Sequence, residues 1–366
     1  MDDIPGLVPS KVRPTTHRPA LLLAVGAAVL ALVLRLALDV HVAAALAAAF
    51  VAYLLVVYAV YRALGGPRVA LDQLMRALVY FAFVLAVVPL VSLLWTVVAQ
   101  GAARAFDPDF LTQTMNGVTG LHDQQYAEGT GPFIGGAYHA IVGTLIITGL
   151  ATVISVPIGM FTAIYLVEYG GTNRLSRWIR FLVDVMTGIP SIVAGLFAFA
   201  LFVQIMGPRD AKMGIAGAVA LCVLMIPTVV RNSEEMLRIV PNELREASLA
   251  LGVPKWRTIA KVVLPTAASG LASGITLAIA RIIGETAPLL VAIGYARGLN
   301  LNAFEGPMNT LAVYAYFMFT KPLSPAVAAP SVERAWAAAL LLVLIVIALN
   351  LLARLVARLF APKTGR

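Results

Sequence analysis

Arg245-Glu246-Ala247-Ser248-Leu249-Ala250-Leu251-Gly252, followed by Val262-Val263-Leu264-Pro265, is a polar, basic insert between two long apolar segments. Pro241, just upstream, suits the first turn of a helix, where a missing N–H costs nothing. Gly252 suits the position just past a helix end. Between them Leu244, Ala247 and Leu251 have the i, i+3, i+7 spacing of one helical face, with Glu243, Arg245 and Glu246 elsewhere on the surface. A second short helix is expected near Pro254, with Trp256, Ile259, Ala260 and Val263 along one face, and Pro265 leading into the next apolar segment. The insert, 233–265, reads as a helix-turn-helix with a small-residue stripe, shaped to lie against a partner. The plainer alternative is an amphipathic loop resting on the membrane surface.

The flanks decide the fold class. Of the 366 residues, 60% are hydrophobic and only 12% charged, with a mean hydropathy of +0.90. A soluble domain is about half apolar and about one quarter charged. The apolar excess lies in long runs, so the chain is expected to be an all-α, polytopic membrane protein, because helices satisfy their own backbone groups in lipid. Eight spans are expected, near 20–38, 42–61, 74–99, 137–168, 178–205, 213–232, 266–296 and 334–360. The 100–136 segment, rich in Gly, Asp, Gln and Thr, reads as an irregular outer loop. The single cysteine, Cys222, sits in an apolar run and reads as a packed structural residue.

Net charge is +9. With the N-terminus inside, 19 of the 27 Lys and Arg fall in cytoplasmic segments and seven outside, leaving Arg281 within a span. The basic excess is thus a topology signal, and no nucleic-acid partner is expected. Both termini are placed in the cytoplasm. The first apolar run is longer than the h-region of a signal peptide and is expected to stay as an anchor. The expected organisation is a tail at 1–19, an accessory two-helix hairpin at 20–66, and a six-span core at 67–366 containing the loop at 233–265.

The Glu246-Ala247-Ser248 … Gly252 … Leu264-Pro265 pattern resembles the EAA loop of bacterial ABC-importer permeases. The third position of that motif is usually Ala; here it is Ser248. From about 74 to 360 the chain resembles the PstA-type permease subunit of phosphate ABC importers. The matching stretches are Gly188-Ile189-Pro190-Ser191-Ile192-Val193, Val230-Arg231 with Glu234-Glu235-Met236-Leu237, and Ala280-Arg281-Ile282-Ile283-Gly284-Glu285-Thr286-Ala287-Pro288. The resemblance implies a six-helix (type I) permease core in the bacterial cytoplasmic (inner) membrane, bound in a heterodimer with a second permease. It also implies two copies of a cytoplasmic ATPase and an extracytoplasmic phosphate-binding protein. The chain has no G-x-x-x-x-G-K-[ST] stretch; ATP and Mg would be bound by the partner ATPase, and no cofactor is expected in this chain. Glu246, Ala247, Ser248, Gly252, Leu264 and Pro265 are the expected coupling residues.

Arg281 lies about 16 residues into its span, where a charge is costly unless it faces water or a partner. Glu285 is one turn on, at spacing fit for an i,i+4 contact. The pair reads either as an anion site, since a guanidinium fork suits phosphate oxygens, or as a salt bridge that packs helices. Pro190 interrupts a span and Ser191 can donate to an oxyanion; a lined cavity and a simple kink are the two readings. Arg231, at the inner mouth, could attract anions, although the positive-inside rule accounts for it. The four histidines lack metal-ligand spacing, and no catalytic constellation is present, so no enzyme activity is expected. The expected function is phosphate permeation driven by a separate ATPase. An ABC permease for sulfate or molybdate and an ion-coupled secondary transporter are the alternatives.

Overall fold

The structure is a computed structural model that describes residues 41–360 and a few isolated positions between 25 and 35. The expected tail, 1–19, and most of the first expected span therefore lie outside the described residues. No strand occurs among those residues. The chain forms two compact units, Met1–Leu94 and Trp95–Arg366.

In the first unit, helix α1 (Val42–Ala105) is broken at Gly66, with φ 84° and ψ 178°, directly before Pro67. The rings of Phe50 and Phe81 stack with centroids 3.7 Å apart. In an unbroken helix they would stand roughly 46 Å apart. The chain therefore doubles back at Gly66-Pro67, where glycine supplies the positive φ and proline cannot continue the preceding helix. Val57, Tyr61 and Ala70 are buried near the turn. The expected spans 42–61 and 74–99 are the two limbs of this hairpin.

The second unit begins in the last turns of α1. The outer segment differs from the irregular loop expected. It folds into α2 (Pro108–Thr112), capped by the Asp107 side chain, and α3 (Gly120–Ala127), closed by a Thr119–His122 capping box. Asp123 of α3 is fully buried against Arg334, at 2.8 Å, and also accepts from Ser331 Oγ. A buried charge needs such a partner.

Next come α4 (Tyr138–Ile164), which runs into a π-helical turn at Tyr165–Tyr169, then α5 (Arg174–Thr187), α6 (Ser191–Met206) and α7 (Gly214–Ile239). They are followed by α8 (Asn242–Ala250) and α9 (Lys255–Thr258), a second π-helical turn at Ile259–Val263, α10 (Leu264–Ile283), α11 (Ala287–Ala292), α12 (Leu311–Thr320) and α13 (Ala329–Phe360). Among the described residues five helices are long and apolar enough to cross a membrane, or six when α5 and α6 count as one span. The first of the five is α1, which doubles back. The core packs α4, α7 and α10 around Ile147, Ala151, Leu221, Met225, Val229, Ala278 and Ile282. Small residues permit the approach: a Cβ on Gly159 would stand 2.7 Å from Val229.

Two expected spans are corrected. The 178–205 segment is not one helix; α5 and α6 are bent by 106° at Gly188-Ile189-Pro190. The 266–296 segment ends as a helix at Ile283, turns at Gly284-Glu285-Thr286, and restarts as the short α11. Pro190 and Pro288 each occupy the start of a new helix, the position proline tolerates. Pro265 stands at the entry to the next long helix as expected, in the first turn of α10. The π-helical turn just before it accommodates the missing donor and the ring.

Candidate functional site

The 233–265 segment forms the expected helix-turn-helix. α8 ends in a Schellman motif: Gly252 N–H donates to Leu249 O at 2.9 Å, and Val253 N–H to Ser248 O at 3.3 Å. Gly252 has φ +78°, the left-handed conformation that the sequence anticipates. The outer face of the loop is bare and mixes large apolar side chains with charged ones. Leu251 is 84% exposed and Trp256 60%, with Leu244, Glu246 and Ala247 exposed beside them. Its inner face is tied down. Ser248 is buried and its Oγ lies 2.9 Å from Thr258 Oγ1, holding α8 on α9. Arg245 donates to Glu168 Oε1 and to the carbonyls of Leu237 and Val240. Leu264 and Pro265 stand at the base of α10. Glu168 and Thr258 are the partners that sequence reasoning missed. Glu168 was marked only by being a lone carboxylate at the end of an apolar run.

The second constellation lies where the two helix breaks meet. Gly195 of α6 touches α11; a Cβ there would stand 2.5 Å from Pro288 O. This approach brings Ser191, in the first turn of α6, near the Glu285 carboxylate. Arg281, in the last turn of α10, is close enough to act on that carboxylate electrostatically, but the expected i,i+4 contact is not made. The helix ends between them, and Glu285 N–H turns back to Ile282 O at 3.1 Å. Arg281 is exposed and points a weak hydrogen bond, 3.4 Å, at Thr228 Oγ1 of α7. Thr228 stands roughly 16 Å from the C-terminal end of α7 by helical rise, so the cluster lies near the middle of that helix. Pro190 is exposed at the same break. The arrangement offers an anion three kinds of donor in one place: a guanidinium, a hydroxyl and the first turn of a helix. Thr228 and Gly195 carried no signal in the sequence.

Arg231 belongs to neither group. It is paired with Asp184 of α5 in a cleft of about 310 Å³ that also holds Arg180, Glu234, Glu235 and Arg238. Glu234 accepts from both Arg180, at 3.1 Å, and Arg238. The cleft is thus lined by a charge-balanced network joining α5 to α7. Asp184, the only acid in α5, could have been singled out for that reason. Among the described residues no group of His, Cys, Asp and Glu is arranged to hold a metal.

A bundle of long apolar helices interrupted by an exposed helical loop is the architecture of a multi-pass membrane protein. The family described as "Binding-protein-dependent transport system inner membrane component" matches residues 155–366, and the chain belongs to it. It is 45% identical over 297 residues to "Phosphate transport system permease protein PstA 1" of Mycobacterium tuberculosis (strain ATCC 25618 / H37Rv), covering 81% of this chain and 91% of that protein. It is 43% identical over 272 residues to "Phosphate transport system permease protein PstA" of Mycobacterium leprae (strain TN), covering 74% and 84%. Among solved structures, an inward-facing MetNI methionine ABC transporter covers 61% of this chain and 94% of its own, at 22% identity and a TM-score of 0.45.

Proposed function

We infer that this permease subunit carries inorganic phosphate, and that the anion passes the junction of the two helix breaks. The observation that carries the reading is the interruption at Gly284-Glu285-Thr286, which leaves the Arg281 guanidinium outside ion-pair contact and directed at Thr228 of α7. The phosphate permeases that share 45% identity over most of the chain support the choice of anion. Chemistry separates phosphate from sulfate. Hydrogen phosphate retains a proton that Glu285 accepts while Arg281 and Ser191 donate to its oxygens. Sulfate has no proton to give, and the carboxylate repels it.

In this reading the chain pairs with a second permease, receives phosphate from an extracytoplasmic binding protein, and is driven by two copies of a cytoplasmic ATPase. The ATPase docks on the bare face of the 241–265 loop, with both termini on the same side. ATP-driven closure of the ATPase dimer moves that loop and exchanges outside-facing for inside-facing access. The test is uptake by the reconstituted complex in vesicles with phosphate and sulfate in competition. Phosphate uptake that excess sulfate leaves intact, and a Glu285→Gln variant that loses this discrimination, are expected. Equal competition by sulfate in the unaltered complex would favour the broader oxyanion reading.

A further inference from the structure

The side of the coupling loop turned away from solvent holds a cluster that the proposed anion path does not use. Arg245 belongs to the loop, yet its guanidinium reaches inward. Nε and Nη2 contact Glu168 Oε1 at 3.1 and 3.0 Å, Nη1 donates to Val240 O at 2.6 Å, and Nη2 also donates to Leu237 O at 2.8 Å. The side chains are only 15% and 6% exposed. One side chain therefore joins three elements: α8, the C-terminal carbonyls of α7, and the π-helical end of α4. Free carbonyls at a helix end attract a cation, and the guanidinium fork meets several acceptors at fixed angles.

We propose that Arg245 is the positioning residue that carries movement of the coupling loop to α4 and α7, with Glu168 as its anchor. The geometry favours transmission over local folding. α8 already has its own Schellman closure and its Ser248–Thr258 tie to α9, so its shape does not need Arg245. Glu168 lies outside the loop, on the helix whose Gly159 packs against Val229, one residue beyond Thr228 of the anion path. Glu168 also sits in a π-helical turn, a form with one wide turn that is common at functional sites. A push on α8 thus reaches both helices that flank the junction through one buried ion pair.

The inference rests on the phosphate reading only for the choice of transported ion. The test uses the complete importer, reconstituted with its binding protein, and compares phosphate moved per ATP hydrolysed. Glu168→Gln removes the anchor charge without touching the loop surface; Arg245→Gln removes the other half. Both should co-purify with the ATPase and hydrolyse ATP at near the unaltered rate, while phosphate moved per ATP falls about tenfold, within the range of a coupling free energy between sites. Arg245→Lys, which keeps the charge but loses the fork, should recover part of the ratio. Loss of co-purification in both Gln variants, or proportionate falls in hydrolysis and uptake, would make the pair a folding contact and overturn the proposal. If the unaltered complex hydrolyses ATP but moves no phosphate, the phosphate reading fails. The ratio is then read as ATP-dependent labelling of a cysteine introduced at Thr228, which should fall in both Gln variants; unchanged labelling would overturn the strut.

Discussion

The coupling loop and the junction of broken helices hold their polar residues in opposite ways. In the loop, apolar and charged side chains share the outer face while a few polar ones are enclosed: Leu251, Trp256, Glu246 and Arg257 are exposed, whereas Ser248, Arg245 and Glu168 are enclosed and paired. At the junction the charge is turned toward open space. Arg281 is exposed with one weak hydrogen bond and no ion pair among the described residues. A loop with satisfied interior groups and large apolar side chains on an uncovered face is built for a lasting protein contact. In the proposed function, a guanidinium with a single weak hydrogen bond keeps donors free for an anion.

The comparison breaks if the junction tolerates disruption better than the loop. Gly195→Val is expected to have the largest effect, since its side chain would enter the Pro288 backbone. Overpacking of this kind costs about 1–3 kcal/mol, here near the upper end because the obstacle is backbone, and it separates Ser191 from Glu285. The melting temperature of the purified complex should fall and uptake should be lost. Unchanged values for both would mean that the two breaks need not touch.

Gly252→Val comes next. Its φ of +78° costs a β-branched residue about 1–2 kcal/mol. The end of α8 should rearrange and binding of the isolated ATPase should weaken about tenfold, with the membrane helices unaffected. Titration of ATPase onto the reconstituted permease measures it, and undiminished affinity would remove this turn from the docking surface. Ser248→Ala should have the smallest effect, about 1 kcal/mol from leaving the Thr258 hydroxyl without its partner. A double-mutant cycle with Thr258→Val checks it. An interaction energy near zero would show that the hydroxyl pair contributes nothing to the loop.

The same contrast explains what was legible beforehand. The loop was readable because its determinants are local: Gly252 fixes its own turn, and the apolar face recurs at helical spacing over a dozen residues. Pro265 likewise marked the start of the next long helix, although the π-helical turn before it was not foreseen. The junction was half legible. Pro190, Ser191, Arg281 and Glu285 were found as individual oddities in apolar runs. Their meeting was not, because it depends on Gly195 and Pro288, far apart in sequence, and on a helix that stops between Arg281 and Glu285. Apolar periodicity extends a helix through Gly284; Pro288, whose ring would clash with the Gly284 carbonyl, and the packing of α11 on α6 oppose it. The hairpin at Gly66-Pro67 shows the opposite case, a purely local turn determined by a positive-φ glycine and the proline after it, between two apolar runs that the sequence analysis had separated.

The measurement that bears most directly on the account is phosphate uptake by the assembled Arg281→Gln, Glu285→Gln double variant, beside each single change. If the two residues only balance one another's charge, removing both restores what either single change loses. If Arg281 meets the anion, the double variant assembles with its partners and still hydrolyses ATP, yet takes up phosphate at background level. Near-normal uptake by the double variant would contradict the account.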